Sequence, residues 1–379
     1  MLIYSVVASG LTVAYILLFA FYIKGWLGLS EFIPAEKNFG TRVSIIIPAR
    51  NEESTIGNLL TDLLNQNYPA GLLEIIVVDD FSEDSTSVVA ASFSPGRIRV
   101  IHLKDCIGSG EKIFSYKKKS LEAGIAASAG ELIITTDADC RVNSAWLSTI
   151  VDFYETTGCH MILGPVMIKD EKNFFEKFQS LDLIGMAGIT GATIRMMFPT
   201  MCNGANLAFR KKSFYDVNGY YGISEITSGD DMLLMHKMAN RWNDGVLFLK
   251  NQNAAVFTLP QLTVKSYIRQ RMRWASKSAS YSDIKITVNL LLVYLFNVSV
   301  LTSLVLLCIM QTLIAICIFQ VVLKLILDFI FLNLVSKYYE RKKLMYLFLP
   351  IEILHIFYIA VIGFAGNLFK VKWKGRMVQ

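Results

Sequence analysis

The residues best suited to chemistry in this sequence are carboxylates that fall just past apolar runs. In ELIITTDADC, Asp137 and Asp139 stand two positions apart after such a run. At the end of a strand, that spacing lets at least one carboxylate reach a hard cation, while the cation keeps open sites for diphosphate oxygens and water. A D-x-D is a weak signal alone, because many loops hold one by chance. It gains weight from IIVVDDFSEDST, where Asp79 and Asp80 close a second apolar run. Adjacent carboxylates repel and gain nothing from burial, so a ligand that donates hydrogen bonds, such as a nucleobase, would account for them.

A third acidic pair, Asp230 and Asp231 in TSGDDMLLMHKM, precedes a helical pattern carried by Met232, Leu233, Met235 and Met238. Two roles are open: helix capping, worth at most about 1 kcal/mol per group, or a general base for an acceptor hydroxyl. In SIIIPARNEEST, Pro48 is expected to stop a strand, and Asn51, Glu52 and Glu53 to lead into a helix with acidic residues in its first turn. A well-capped helix start explains that segment as well as a ligand does. YIRQRMRWASK sets Gln270, Arg273 and Trp274 among Lys265, Arg269, Arg271 and Lys277. An interfacial helix on lipid headgroups fits this stretch; so does Arg273 on a leaving diphosphate with Trp274 stacked on a sugar, and the two are compatible.

These groups need a scaffold. Residues 43–48, 74–79, 99–103 and 131–137 read as buried strands, each an apolar run bounded by polar or turn residues. Between them, Ile56, Leu59, Leu60, Leu63 and Leu64 recur at helical spacing, and residues 117–129 continue the alternation. Repeated β-α-β units imply an α/β fold with a mostly parallel, Rossmann-like sheet covered by helices. Ligands sit at the carboxyl ends of strands in such sheets, where the acidic pairs fall.

The 379 residues are only 18 % charged, and the mean hydropathy is +0.44, too apolar for an ordinary soluble enzyme. Residues 2–29 form an apolar run longer than a signal-peptide core, without a basic n-region or cleavage site, and are expected to be a retained transmembrane helix. Residues 286–335 are long enough for two spans joined near Gln311, and residues 344–369 make a third candidate. Four spans put both termini on one face, whereas the basic tail (Lys370, Lys372, Lys374, Arg376) and the polar centre both ask for the cytoplasm. Pro350, Glu352 and His355 mark the last segment as the one to be re-entrant or interfacial. Lys324 and Asp328, spaced i, i+4, are expected to pair. Glu352 and His355 have no evident partner, so a polar path for sugar or headgroups is expected there.

The net charge of +6 sits beside apolar runs, which points to anionic lipid and away from nucleic acid. Six cysteines without C-x-x-C or Cys/His ligand spacing signal neither structural zinc nor a disulfide framework. The expected division is a transmembrane helix at 1–30, an α/β domain at 40–260, an amphipathic interfacial region at 261–282, a transmembrane region at 286–369 and a basic tail at 370–379.

With the separated aspartates followed by Q-x-x-R-W, residues 42–277 resemble the membrane-integrated family 2 glycosyltransferases, a group that includes cellulose, hyaluronan and poly-N-acetylglucosamine synthases and ceramide glucosyltransferase. The resemblance implies a GT-A domain flanked by transmembrane helices. It implies that Pro48, Asn51 and Glu52 line a nucleotide pocket and that one of Asp79 and Asp80 binds the base. Lys117, in YKKKSLEAG, sits where the family has a lysine near the diphosphate, although Tyr116 replaces the usual glycine and Lys118 or Lys119 could substitute. Asp137 and Asp139 would hold the sugar-nucleotide with Mg²⁺ or Mn²⁺. Asp231, in G-D-D where relatives have T-E-D or E-D, would be the catalytic base beside Asp230. Gly204, Ala205 and Asn206 resemble an acceptor-side G-A-N element, and Gln270, Arg273 and Trp274 complete the set.

The activity so implied is a metal-dependent, inverting transfer from a nucleotide-sugar, UDP-linked by family habit, to a growing polysaccharide, with a single addition to a membrane lipid as the alternative. Four spans are few for an autonomous export channel, so polymer synthesis would call for a homo-oligomer or an export partner. The expected location is a bacterial inner membrane with the catalytic domain cytoplasmic. A non-catalytic nucleotide-binding component is disfavoured because every acidic position is filled.

Overall fold

The computed structural model describes residues 2–35, 38–93, 96–108, 110, 112–276, 283–307, 313–366, 371–373 and 376–378. The turn at Gln311, Cys308, Lys277 and the tail residues Lys370 and Lys374 lie outside the described residues. In chain order the first elements are α1 (Leu2–Gly28), β1 (Val43–Ala49), α2 (Ile56–Leu64), β2 (Leu73–Asp79), α3 (Thr86–Ser92), β3 (Ile98–His102), α4 (Tyr116–Ala127) and β4 (Leu132–Thr135). There follow β5 (Arg141–Val142), α5 (Trp146–Thr157), β6 (Met161–Leu163), β7 (Val166–Ile168), α6 (Phe174–Arg195), β8 (Leu207–Arg210), α7 (Lys211–Asp216), α8 (Met232–Arg241), β9 (Val246–Phe248) and β10 (Val256–Thr258). The chain closes with α9 (Val264–Ala275), α10 (Ile284–Leu307), α11 (Ile314–Tyr338), α12 (Phe348–Ala365), β11 (Val371–Trp373) and β12 (Arg376–Val378).

The chain sorts into two compact units, one of Met1–Gly28, Lys172–Ala192 and Gln261–Gln379, the other of Leu29–Glu171 and Thr193–Pro260. Residues 172–192, which the sequence division left within 40–260, group with the long apolar helices.

In the second unit the described strands form a seven-stranded sheet ordered β3-β2-β1-β4-β8-β6-β9. β8 runs antiparallel to both its neighbours, and the other pairings are parallel. β5, β10 and β7 make a small second sheet. β1 carries apolar residues on both faces because both are covered: Val43, Ile45 and Ile47 join the core shared with α2 and α5, whereas Ile46 faces α4. There a Cβ on Gly124 would lie 2.5 Å from Ile46 Cγ2, so glycine is what lets α4 sit close to the sheet. Pro48 does not stop β1, which runs on to Ala49. β4 pairs β1 only as far as Ile46↔Thr135, so the proline without an N–H falls past the end of that ladder, where it is tolerated.

β4 likewise ends before Asp137, at Thr135. The N–H of Cys140 donates to Asp137 O at 3.1 Å, so the D-x-D occupies a turn rather than the strand. α2 begins at Ile56 with no acidic residue in its first turn, and Asn51, Glu52 and Glu53 belong to the preceding loop.

The first unit holds four helices long and apolar enough to cross a membrane among the described residues: Leu2–Gly28, Ile284–Leu307, Ile314–Tyr338 and Lys342–Ala365. Pro350 lies in the first turn of α12, where its missing N–H costs little, so it gives no reason to set this segment apart. Gln320, buried, donates to Thr12 Oγ1 at 3.2 Å and accepts from Ser303 Oγ at 2.7 Å, joining α1, α10 and α11 by hydrogen bonds in an apolar setting. Lys324 pairs with Asp328, as its spacing requires, and also with Glu352 of α12. Tyr15 Oη donates to Asp328 Oδ1 at 2.7 Å. Glu352 is therefore buried in an ion cluster and does not line the polar passage expected of it. His355 stands 3.8 Å from Glu352 Oε1 and 3.7 Å from Asp182 Oδ1.

Candidate active site

Two loops at the carboxyl ends of β1 and β2 are zipped together. Arg50 Nη1 donates to the carbonyls of Asp80 and Phe81 at 2.9 and 2.7 Å. The backbone N–H of Asn51 donates to Ser82 Oγ, that of Glu52 to Thr86 Oγ1, and Glu83 N–H returns a bond to Asn51 Oδ1. Asn51 and Phe81 take left-handed φ values of 52° and 53°, which asparagine tolerates better than most residues. The Asn51 and Glu52 side chains are thus engaged in building the loop, Glu52 by accepting from Thr55 Oγ1 at 2.8 Å. Both carboxylates of the Asp79/Asp80 pair are buried. Asp79 accepts from Ser82 N–H at 3.3 Å and sits 3.2 Å from His102 Nδ1, so part of its cost of burial is met within the fold.

The acidic residues further along meet around a lysine. Lys117, in the first turn of α4, places Nζ 2.7 Å from Asp137 Oδ1 and 3.4 Å from Asp230 Oδ2. Burial alone would push its ammonium toward losing a proton, but Asp137, Asp230 and Asp231 more than reverse this and hold it charged. Lys118 points elsewhere: its Nζ donates to the carbonyls of Ile223 and Ile226, both at 2.6 Å. Lys117 meets Asp137 of the D-x-D turn.

Asp231 caps α8, its Oδ1 accepting from Met232 N–H at 2.7 Å, and its Oδ2 accepts from Gly204 N–H at 3.0 Å. Capping and proximity to the other carboxylates therefore coexist. A Cβ on Gly204 would lie 3.2 Å from Asp230 Oδ2 and 3.4 Å from Asp231 Cβ, so the glycine admits the acidic pair. Thr135 Oγ1 holds the Gly204 carbonyl at 2.9 Å.

Ala205 and Asn206 are buried behind Gly204. Asn206 donates to Pro165 O and Ala254 O at 2.8 and 2.7 Å and accepts from Trp146 Nε1 at 3.2 Å. Its amide is spent inside the protein, tying β8 to the loops before β7 and β10.

Sequence reasoning missed Tyr220, which is buried near this cluster. Burial and the charges of Asp230 and Asp231 push its phenol well above the usual range, and no spacing in the sequence ties it to them. Cys140 is also forced up, by burial and then by Asp139 and Asp137, so it stays a thiol. Gln270, Arg273 and Trp274 lie on α9 in the other unit, and Arg271 between them is buried against Asp182 of α6. Arg271 is therefore not one of the headgroup-facing cations expected of this stretch.

Asp137, Asp230 and Asp231 thus gather around Lys117 beside the mostly parallel sheet of a GT-A type fold. The model of "Glycosyl transferase family 2" matches residues 44–217 and that of "Glycosyl transferase family group 2" residues 132–357, and the chain belongs to the family 2 glycosyltransferases. Among curated proteins it is 32 % identical over 124 residues to glycosyltransferase AglE of Haloferax volcanii, covering 33 % of this chain and 39 % of that one. It is 28 % identical over 203 residues to the 4,4'-diaponeurosporenoate glycosyltransferase of Staphylococcus aureus, covering 52 % of this chain and 48 % of that one. In each case the chain spans less than half of the relative's length. A mannosyltransferase from Pyrobaculum calidifontis, solved with GDP-Man and Mn²⁺, shares the fold at a TM-score of 0.63 and 16 % identity, over 95 % of this chain and 99 % of that one.

Proposed function

We propose that the protein transfers a sugar from a nucleotide-sugar donor, with inversion, to a hydroxyl of an acceptor held by the membrane. The carrying observation is the convergence of Asp137, Asp230 and Asp231 on Lys117 at the sheet edge. In this reading Lys117 exchanges its carboxylate partner for the donor diphosphate, Asp231 takes the proton of the attacking hydroxyl, and one in-line displacement gives a β-linkage from an α-linked donor. The N–H groups of Met232 and Gly204 hold the Asp231 carboxylate in place. Pro48, Asn51, Glu52, Asp79 and Asp80 border the nucleoside, with UDP as the first nucleotide to test, and Gln270, Arg273 and Trp274 serve the diphosphate and acceptor end.

Asp137 and Asp139 fit a divalent cation of the Mg²⁺ or Mn²⁺ class. The position already attracts a cationic group, the Lys117 ammonium. Such a donor set suits an ion that takes one or two carboxylates and completes its shell with phosphate and water. When bound, the ion would offset charge developing on the leaving diphosphate.

The acceptor reading shifts from polymer to lipid. Gln320, Lys324, Asp328 and Glu352 are buried and engaged with one another or with neighbouring helices, which leaves these groups unavailable to line a sugar passage. The membrane acceptor is then a lipid-soluble alcohol glycosylated once, and the enzyme works at the cytoplasmic face of a bacterial inner membrane. Incubating the purified protein with labelled nucleotide-sugars, Mn²⁺ and a membrane lipid extract tests this. One labelled lipid supports single addition, a ladder of products restores the polysaccharide reading, and product NMR with the donor configuration retained refutes inversion.

A further inference from the structure

We infer that Asp182 is a positioning residue for Trp274 and Arg273, acting through the buried Arg271. This rests on the reading of the Q-x-x-R-W residues given above. Asp182 lies in α6, and its Oδ2 receives both Arg271 Nη2 at 2.6 Å and Tyr267 Oη at 2.8 Å. Arg271 and Tyr267 are one turn apart on α9, so a single carboxylate grips two successive turns of that helix. The guanidinium of Arg271 lies 4.2 Å from the centroid of the Trp274 ring and 4.8 Å from that of Tyr267. Its Nη1 also reaches Met186 Sδ at 3.3 Å. Trp274 therefore rests on a cation whose own place is set by Asp182. Asp182 Oδ1 faces His355 of α12 at 3.7 Å, so the same carboxylate joins α6, α9 and α12.

The physical argument is one of restraint. Taking a guanidinium and a carboxylate out of water costs about as much as their attraction returns, so the pair is a poor device for stability. It is a good device for direction. A cation over the face of an indole is worth more when desolvated, and a planar guanidinium held by a carboxylate cannot turn without breaking that contact. Burial would push the Asp182 carboxyl up, yet Arg271, with lesser help from His355 and Tyr267, holds it below the ordinary range. Trp274 and the adjacent Arg273 thus sit on a helix whose rotation about its axis is locked.

The test uses the full-length protein in nanodiscs and compares Asp182→Asn, Arg271→Met, the double variant, Arg273→Ala, Trp274→Ala and Trp274→Ala/Asp182→Asn. Thermal midpoint, kcat and donor KM are read at saturating Mn²⁺. Each single change at Asp182 or Arg271 takes the counter-ion from its partner and lowers the midpoint, whereas the double variant removes both charges and recovers it. Positioning requires that kcat stay down on the order of 10- to 100-fold in the recovered double variant, as expected for displaced catalytic contacts, with donor KM unchanged. It also requires that Asp182→Asn cost a smaller factor in kcat on the Trp274→Ala background than in the wild type, since Arg273 is then what is left to displace. A double variant that regains both midpoint and kcat overturns the inference, as does a multiplicative loss on the Trp274→Ala background. Full kcat in both Arg273→Ala and Trp274→Ala removes the role being positioned and overturns the Q-x-x-R-W reading with it. A deficient Trp274→Ala beside a fully active Asp182→Asn overturns the positioning alone.

Discussion

The ammonium of Lys117 rests 2.7 Å from Oδ1 of Asp137. A residue proposed to meet the donor diphosphate is thus already committed to a carboxylate proposed to meet the metal. Binding of a metal-diphosphate pair would satisfy both at once, the carboxylate by the cation and the ammonium by the phosphate. Lys117→Met is expected to lower kcat by about 10²–10³-fold, the scale for losing one charged contact to a leaving group, with a rise in donor KM. Kinetics across a Mn²⁺ titration check this, and Lys117→Arg should restore part of the loss.

The same lysine makes a prediction about pH. Its folded pKa is raised, by Asp137, Asp230 and Asp231 over the opposing effect of burial. A raised lysine contributes stability that is fully present below its unfolded value, about 10.4, and is lost as pH rises through the folded value above it. Between pH 6 and 9 the difference in thermal midpoint between wild type and Lys117→Met should be flat. A difference that fades between pH 7 and 9 would mean that Lys117 is not held charged.

Asp231 separates a cap from a base. Asn is as good an N-cap as Asp, so Asp231→Asn can keep the acceptor for Met232 N–H while losing basicity. Its amide nitrogen cannot accept from Gly204 N–H as Oδ2 does, so the expected result is a modestly lowered thermal midpoint, retained donor binding, and kcat down by about 10²–10⁴-fold. Calorimetric titration of a nucleoside diphosphate beside a turnover assay distinguishes this from misfolding. Turnover left intact would make the cap the whole role of Asp231.

Gly204→Ala probes the space in front of the acidic pair. The new methyl would stand 3.2 Å from Asp230 Oδ2 and 3.4 Å from Asp231 Cβ, so the pair must give by a few tenths of an ångström. A loss in kcat on the order of 10-fold is expected, since small displacements of catalytic groups are costly, with little change in donor KM. An unchanged rate would place the reacting atoms away from this edge.

What the sequence reveals about this site depends on how local the signal is. Asp79/Asp80, Asp137/Asp139 and Asp230/Asp231 stand out in the sequence because each pair follows an apolar run or precedes a helical one, and parallel sheets put strand ends such as those before the first two pairs on one edge. Lys117 is legible only as one of three lysines, since the choice rests on which side chain faces the D-x-D turn. Asn206 looks like an acceptor contact in sequence but spends its amide on Pro165, Ala254 and Trp146, all distant in the chain. Arg271 shows the same limit, because a cation on an interfacial helix reads alike whether it meets a phosphate headgroup or Asp182. Charge pattern gives the kind of partner; only tertiary contact gives which one.

The ion cluster inside the apolar helices allows a prediction from its asymmetry. Lys324 is shared by Asp328 four residues on and by Glu352 of α12. The spacing within α11 reveals the first partner but not the second, so the sequence alone makes Glu352 look unpaired. Glu352→Gln removes one carboxylate and leaves a matched Lys324–Asp328 pair, with a polar amide still able to accept from Lys324. Lys324→Met instead leaves two buried carboxylates with no cation between them, and breaking a buried ionic group in this way costs about 3–5 kcal/mol. Lys324→Met should therefore lower the thermal midpoint in detergent much further than Glu352→Gln. The triple change Lys324→Met, Asp328→Asn, Glu352→Gln should recover most of the loss, because neutral groups of similar shape leave no charge uncompensated. Equal tolerance of the two single variants would mean that water or lipid headgroups reach these side chains, and the passage that the buried cluster argues against would have to be restored.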